Sequence, residues 1–439
     1  MPSRLLALAP LLLLSLALPA SAVAEGYVQG EVLVRYEDGT SAAAAAGVER
    51  LTGTETEQIL PGGTERVAIE DGDSVRETIA ELRRDPRVAY AVPNWRARAA
   101  AFLPNDPGTR LQWNLFGPFG INMPEAWELA AARGAPGGRG AVVAVLDSGV
   151  AYERFRRFRR APDLRADTFV RGYDFVDYDR HPNDEHGHGT HVSGTIAQAT
   201  NNRLATAGIA YGARIMPVRV LDRKGLGDSF TVARAIRYAA RRRADVINLS
   251  LDFAPEVRAA QIPNVLSAIR YARRRGAVLT ASAGNQYGLP VAYPARGPGV
   301  IAVGATTSTG CEADYSSAGY DLDLVAPGGG DDAQNRFSRW DRDRCNPDAL
   351  GEPIFQQTFF KRGWVSRFAL RGPKFEGTSM ASGHVAAVAA LVIATGRLGP
   401  DPAPGLVEQH LEATARDVGP PGFDRFYGNG LVDAAAALR

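Results

Sequence analysis

Polar and apolar positions change rhythm along this chain, and each rhythm predicts an element. From Gly30 to Tyr36 they alternate as in a half-buried strand, and from Asp73 to Arg84 the apolar residues recur at helical spacing. A second strand is predicted over Val88 to Val92, ended by Pro93-Asn94, so the first part of the chain reads as a small α+β unit. Past Asn105 the apolar runs become continuous: Ala141 to Leu146, Arg214 to Leu221, Asp245 to Leu251, Ala277 to Ala283 and Gly299 to Ala305. Helical spacing falls between them at Ser229 to Arg241 and Val257 to Arg274, and Met380 to Ala394 reads as a long apolar helix. Continuous apolar strands alternating with helices predict an α/β fold, a mainly parallel sheet with helices on both faces. Catalytic groups in such folds gather at the carboxyl ends of strands. The stretch from Gly328 to Phe375 breaks the alternation and reads as a loop insertion, and there are no internal repeats.

The first residues follow a different logic. Arg4, an apolar run from Leu5 to Leu18 and the small residues Ala20 to Ala24 predict a secretory signal over residues 1–24, cut after Ala22 or Ala24. The run is shorter than the roughly 20 residues that span a membrane, so no membrane attachment is expected after its removal. Export to an extracellular or periplasmic compartment makes a disulfide between the two cysteines, Cys311 and Cys345, an expectation; two free thiols are the alternative. A net charge of +2 gives no reason to expect nucleic acid as a partner. Arginine runs at Arg241 to Arg243 and Arg273 to Arg275 sit where helices should end, which suits solvated carbonyl ends. A third run, Arg156 to Arg160, follows Asp147 closely enough to touch a substrate.

Three segments far apart in sequence carry candidate chemistry. Ala-Val-Leu-Asp-Ser-Gly ends a predicted strand at Asp147, His-Gly-Thr-His-Val-Ser-Gly begins at His188, and Gly-Thr-Ser-Met-Ala-Ser places Ser379 at the start of the apolar helix. A serine hydroxyl becomes a nucleophile at neutral pH only when a base takes its proton and a third group orients that base. Taken singly, Asp147 could be a cap, Ser379 an N-cap and Asn285 a turn residue; jointly those readings are improbable. Proximity alone does not choose among His186, His188 and His191. With Asp184 and Glu185 they could also form a zinc site, although no His-Glu-x-x-His pattern is present and such a site would leave Asp147, Asn285 and Ser379 unexplained.

Leu-Asp-Ser-Gly at 146, His-Gly-Thr-His-Val at 188, Ser-Ala-Gly-Asn at 282 and Gly-Thr-Ser-Met-Ala-Ser at 377, in that order, resemble the motifs of the subtilisin-like serine proteases, the subtilases of peptidase family S8. Gly428 to Ala435 resembles the end of the family's domain. The resemblance implies a serine endopeptidase in which Asp147, His188 and Ser379 form the triad, and Asn285 joins Ser379 in the oxyanion hole. It also selects His188 among the histidines and leaves His191 as a packing residue. By the same resemblance Leu221, Gly225, Leu226, Gly227, Ser250 and Leu251 bind an extended peptide, and Ala292 forms the far wall of an apolar pocket. Two departures stand out: Asp252 replaces a usual glycine at the pocket rim, and Gly383 replaces a usual proline. Residues 25–100 resemble an I9-like inhibitory prosegment, cut between Arg96 and Pro104, which leaves a peptidase domain over 101–439 with its insertion at about 328–375. The implied partners are polypeptide substrates and the chain's own prosegment, and a monomer is expected. The chemistry requires no cofactor; a structural calcium near Thr200 to Thr206, with Asp163 and Asp167 as contributors, is left open, its ligands unassigned.

Overall fold

The computed structural model describes residues 27–95, 102–334, 338–362, 365–369 and 375–439. The predicted signal segment and most of the predicted cleavage stretch lie outside them. The chain divides into two compact units at Ala100 and Ala101.

In the first unit, strands β1 (Tyr27–Tyr36), β2 (Thr54–Ile59), β3 (Thr64–Ile69) and β4 (Val88–Trp95) form an antiparallel sheet in the order β2-β3-β1-β4. Helices α1 (Ala42–Leu51) and α2 (Val75–Leu82) join them, and Val32, Val34, Val48, Val67, Ile79 and Leu82 form the core. Helix α2 is shorter at both ends than its apolar spacing predicts. Ser74 and Glu77 form a reciprocal capping box there, which satisfies the first free N–H groups and fixes the start. Periodicity gave no sign of α1, β2 or β3. Half of helix α1 is alanine behind a Ser41 cap, and β2 (Thr-Glu-Thr-Glu-Gln-Ile) is largely exposed, so neither announces an apolar face.

The second unit is built on a seven-stranded sheet of β5 (Val142–Asp147), β6 (Tyr173–Asp174), β7 (Arg214–Arg219), β8 (Val246–Leu249), β9 (Val278–Ser282), β10 (Ile301–Thr306) and β11 (Leu324–Pro327). Their order is β11-β10-β9-β8-β5-β7-β6 and every neighbouring pair is parallel. The period of two along β5 sorts its side chains between two cores. Val143 and Val145 meet α4 (Met123–Ala132), which follows the short α3 (Trp113–Phe116), together with α5 (His188–Ala197). Ala144 and Leu146 face α6 (Ser229–Arg241) and α7 (Pro263–Arg274). The expected α/β architecture, helices on both faces of a parallel sheet, is thus present.

Helix α7 starts at Pro263 instead of Val257, because proline at the first helical position is preorganised for a start and cannot continue a preceding turn. The stretch read as a loop contains α8 (Arg339–Arg344) and a hairpin of β12 (Thr358–Arg362) and β13 (Val365–Ala369). Cys345 ends α8 and is disulfide-bonded to Cys311. Helix α9 (Thr378–Ala394) runs through the first core with all of its residues from Thr378 to Val392 buried, which is why its sequence shows no polar face. Helices α10 (Pro404–Ala413) and α11 (Ala434–Leu438) cover its flank. Among the described residues no helix is long and apolar enough to cross a membrane.

Candidate active site

Asp147 is the last residue of β5 and is fully buried. Both of its carboxylate oxygens face His188 Nδ1, at 2.8 and 2.9 Å, and Oδ1 also accepts the Ser148 N–H at 2.6 Å. His188 is the first residue of α5, placed by a turn built around Asp184. That carboxylate accepts the N–H groups of His186, Gly187 and Thr190, and the hydroxyls of Ser148 and Thr190. An acid at a helix N-terminus satisfies unpaired N–H groups and complements the dipole. Burial pulls the His188 pKa down, but the Asp147 carboxylate against Nδ1, with Asp184 behind it, outweighs that and holds the imidazole above its ordinary 6.5. Phe375 lies against both His188 and His191, and the Thr358 hydroxyl donates to the Gly187 carbonyl at 2.6 Å.

Ser379 is the second residue of α9 and is buried. Its hydroxyl donates to the Ser250 carbonyl at 3.4 Å rather than to His188. A bond this long is weak and is readily exchanged for another acceptor. The first turn of α9 is held from below by polar side chains: Ser250 Oγ donates to the Ser379 carbonyl at 2.8 Å, and Asn248 Nδ2 donates to Ser250 Oγ at 2.8 Å. Ser382 and Thr280 hydroxyls both donate to Asn248 Oδ1, at 2.8 and 3.1 Å.

Asn285 accepts from the Thr378 N–H at 3.0 Å and from the Thr378 hydroxyl at 2.9 Å, both at Oδ1. With Oδ1 engaged, Nδ2 is the donor end left to the site. The Thr378 N–H is thereby spent and the Met380 N–H bonds the Gly377 carbonyl, so the Ser379 N–H is the amide of this turn without a partner among the described residues. Gly284, at φ +111°, is needed here, since a Cβ would stand 2.9 Å from Ser317 Oγ.

His188 and Ser379 line one cavity of about 320 Å³. Leu221, Gly225, Leu226, Gly227, Ser250, Leu251 and Asp252 line it too, together with Ser148, His186, Lys224, Val232 and Phe253. Ala292 does not. It is buried, with its N–H on the Ala283 carbonyl, and a Cβ on Gly284 would lie 3.3 Å from its own. Asp252 is on the rim and accepts from Gln286 Nε2 at 3.2 Å.

The histidines do not converge as a zinc site would need. His191 is buried with Nε2 on the Ile354 carbonyl at 3.0 Å, and burial pushes its pKa down to about 3. Asp184 is occupied by amide and hydroxyl donors.

Calcium fits poorly as well. Asp167 is exposed and paired with Arg165, while Asp163 accepts N–H donors from Gln198 at 2.8 Å and Asn202 at 2.6 Å. Asn202 Oδ1 is itself taken by the Leu204 N–H, and Asp106 by the N–H groups of Asn201 and Asn202. Calcium requires converging oxygens, and this loop turns N–H groups toward both carboxylates.

Sequence reasoning missed the supporting groups Ser148, Asp184, Asn248, Thr280 and Ser382. Their signal was present: Asn248 and Thr280 are polar residues inside strands that otherwise read as apolar, and buried polar groups there must be hydrogen-bonded.

A parallel α/β sheet carrying a carboxylate at a strand end, and an imidazole and a hydroxyl at two helix starts, has the parts of a serine hydrolase in the chain order Asp, His, Ser. The comparisons agree. Residues 138–430 match the model of the subtilase family, Peptidase_S8, and residues 17–94 match the fervidolysin N-terminal prodomain. The chain is 33% identical over 402 residues to the thermophilic serine proteinase of Bacillus sp. (strain AK1), covering 92% of this chain and 86% of that one. It is 33% identical to thermitase of Thermoactinomyces vulgaris, over 77% of this chain and the whole of thermitase. A solved protease structure from Pseudoalteromonas arctica PAMC 21717 superposes with a TM-score of 0.60 at 32% identity, covering 76% of this chain and 98% of that one. The chain belongs to the subtilase family and is a subtilisin-family serine endopeptidase with an N-terminal prodomain.

Proposed function

We propose that this chain is a secreted, self-activating endopeptidase whose triad is Asp147, His188 and Ser379. The observation that carries the reading is the double contact of the buried Asp147 carboxylate with His188 Nδ1, beside a cavity that also holds Ser379. Nδ1 keeps its proton against the carboxylate, which leaves Nε2 as the base. It takes the Ser379 proton as Oγ attacks the scissile carbonyl, then returns it to the departing amine; water repeats the cycle on the acyl-enzyme. Asn285 Nδ2 and the Ser379 N–H stabilise the oxyanion, at a helix start where the dipole adds to them. These residues supply nucleophile, base and oxyanion donors, so acyl transfer here needs no cofactor, and a structural calcium is no part of the proposal.

The polypeptide substrate lies along Leu221 to Gly227 and Ser250 to Asp252, where Gly225 and Gly227 permit close backbone approach. Residues 1–24 are the export signal, 25–100 an inhibitory prosegment, and 101–439 the peptidase, a monomer acting in the periplasm or outside the cell. Ser148, Asp184, Asn248, Thr280 and Ser382 are positioning residues.

Expression of the chain and of Ser379→Ala in a host lacking other proteases tests this. The parent should mature by a cut between Arg96 and Pro104 and hydrolyse peptides, while the variant should accumulate as the precursor. Equal maturation of both would refute self-activation.

A further inference from the structure

The run Arg156 to Arg160 takes no part in the machinery above, yet it is not a loose loop. Phe155 and Phe158 exchange backbone bonds of 3.3 and 2.8 Å to close a tight turn, and the Phe155 ring stacks on His181 with centroids 3.6 Å apart. Arg156 sits in that turn at φ +51°, a left-handed position that glycine or asparagine fills at less cost. The Arg156 and Arg157 guanidiniums lie over the Phe155 and Phe158 rings at 5.0 and 5.1 Å. Arg157 pairs with Glu185, which also accepts from the buried Arg219 at 2.8 Å.

These bonds fix the turn beside the active-site cavity. Glu185 precedes His186, which lines that cavity, and Gly225 comes so close to His186 that a Cβ would lie 3.5 Å from Nε2. The loop bearing Arg223 and Lys224 is therefore on the same side. Arg154, Arg156, Arg159, Arg160, Arg223 and Lys224 are all exposed, and none has a carboxylate partner among the described residues. Among the nearby carboxylates, Glu153 holds His181 and Asn183, and Asp174 and Asp177 hold Arg219, while Asp222 lies beside Lys224 and Asp179 lines the same hollow as Arg156. Set against Asp179, Asp222 and Asp252, these six cations leave an excess of positive charge beside the cleft, which focuses a positive field there.

Resting on the protease reading, we propose that this rim is an exosite for acidic segments of the polypeptide substrate, Asp- or Glu-rich stretches flanking the scissile bond on the side that passes His186. A guanidinium fork donates bidentately to a carboxylate, and Arg156, held over the Phe155 ring, loses less freedom than a loose side chain in doing so.

The test uses fluorogenic peptides with one core sequence, extended on either side by four Glu or four Gln residues. At low salt the Glu extension on one side should raise kcat/KM by about fivefold or more over Gln, through KM, and about 0.5 M salt should erase the gain. The variant R156Q/R159Q/R160Q should lose the gain and keep the Gln-peptide rate, which also reports that it is folded. In parallel, the matured enzyme inactivated at Ser379 with a small fluorophosphonate should bind the labelled Glu peptide more tightly than the Gln peptide by a similar factor. Equal binding of the two peptides, or a preference that survives in the arginine variant, overturns the exosite whatever the turnover. Failure of the protease reading looks different: no peptide of either charge is cleaved.

Discussion

Asp147→Asn isolates the part of the site on which proton transfer depends. Oδ1 of Asp147 accepts the Ser148 N–H at 2.6 Å, and asparagine at this position must keep its oxygen there to avoid opposing two N–H donors. Its amide nitrogen then faces His188 Nδ1 across the 2.9 Å contact that Oδ2 now makes. An N–H donor against Nδ1 competes with the remaining Oδ1 acceptor at 2.8 Å and shifts the proton toward Nε2, the nitrogen that should receive the Ser379 proton. The fold is preserved while the tautomer is wrong, and a change of this kind lowers kcat by roughly 10⁴, about 5.4 kcal/mol of barrier. Loss of the carboxylate also removes what raises the His188 pKa, so the variant's imidazole should titrate lower than the parent's. The assay is kcat and kcat/KM on a fluorogenic peptide between pH 5 and 10, with circular dichroism as the folding control. A folded variant keeping more than about a tenth of parental kcat would refute the tautomer argument.

Further outcomes follow from the same geometry. Asn285→Ala removes the donor that Thr378 orients and should lower kcat by about 10²- to 10³-fold with little change in KM; this range comes from the corresponding donor in subtilisin, and an unchanged kcat would exclude Asn285 from the oxyanion hole. Parental kcat/KM should fall as pH drops through the raised His188 pKa, because only the neutral imidazole is a base; an acid limb centred below about 6.5 would contradict the Asp147 contact. Asp323 is pushed up to about 7, first by burial, against the Ala302 N–H and with help from Glu408, Glu412 and Asp321, so its charged form costs stability above that pH. The folded state then binds more protons than the unfolded state between the two pKa values, so stability should rise as pH falls from 7 toward 4. Asp323→Asn should gain at most about 4 kcal/mol over the parent at pH 8 and almost nothing at pH 4, which thermal unfolding at both pH values would check. Gly383→Ala should stabilise by about 0.5 to 1 kcal/mol, since its Cβ would meet Val192 at 3.5 Å, an ordinary contact; a loss of stability would show that the glycine is required.

How much was legible in the sequence depended on what each element buries. Strands buried on both faces announce themselves as apolar runs, and β5 and β7 to β10 were all readable that way. Strand β6 has only Tyr173 and Asp174, and β11 ends in Pro327, so neither offers a run long enough to recognise. Asp147, His188 and Ser379 were singled out through local motifs, because such groups must sit on a specific strand end or helix start. The groups that hold them are set by tertiary contact. Asn248 reaches Ser382 across 134 positions and Asp184 gathers its donors from a turn, and no periodicity records either.

The central claim is that one hydroxyl among many is activated by one imidazole. Labelling the mature enzyme with a fluorophosphonate and mapping the adduct by peptide mass spectrometry tests this most directly. The account predicts one adduct, on Ser379, absent after Ser379→Ala and formed far more slowly after His188→Ala. An adduct on another serine, or proteolysis that persists in the Ser379→Ala chain, would contradict it.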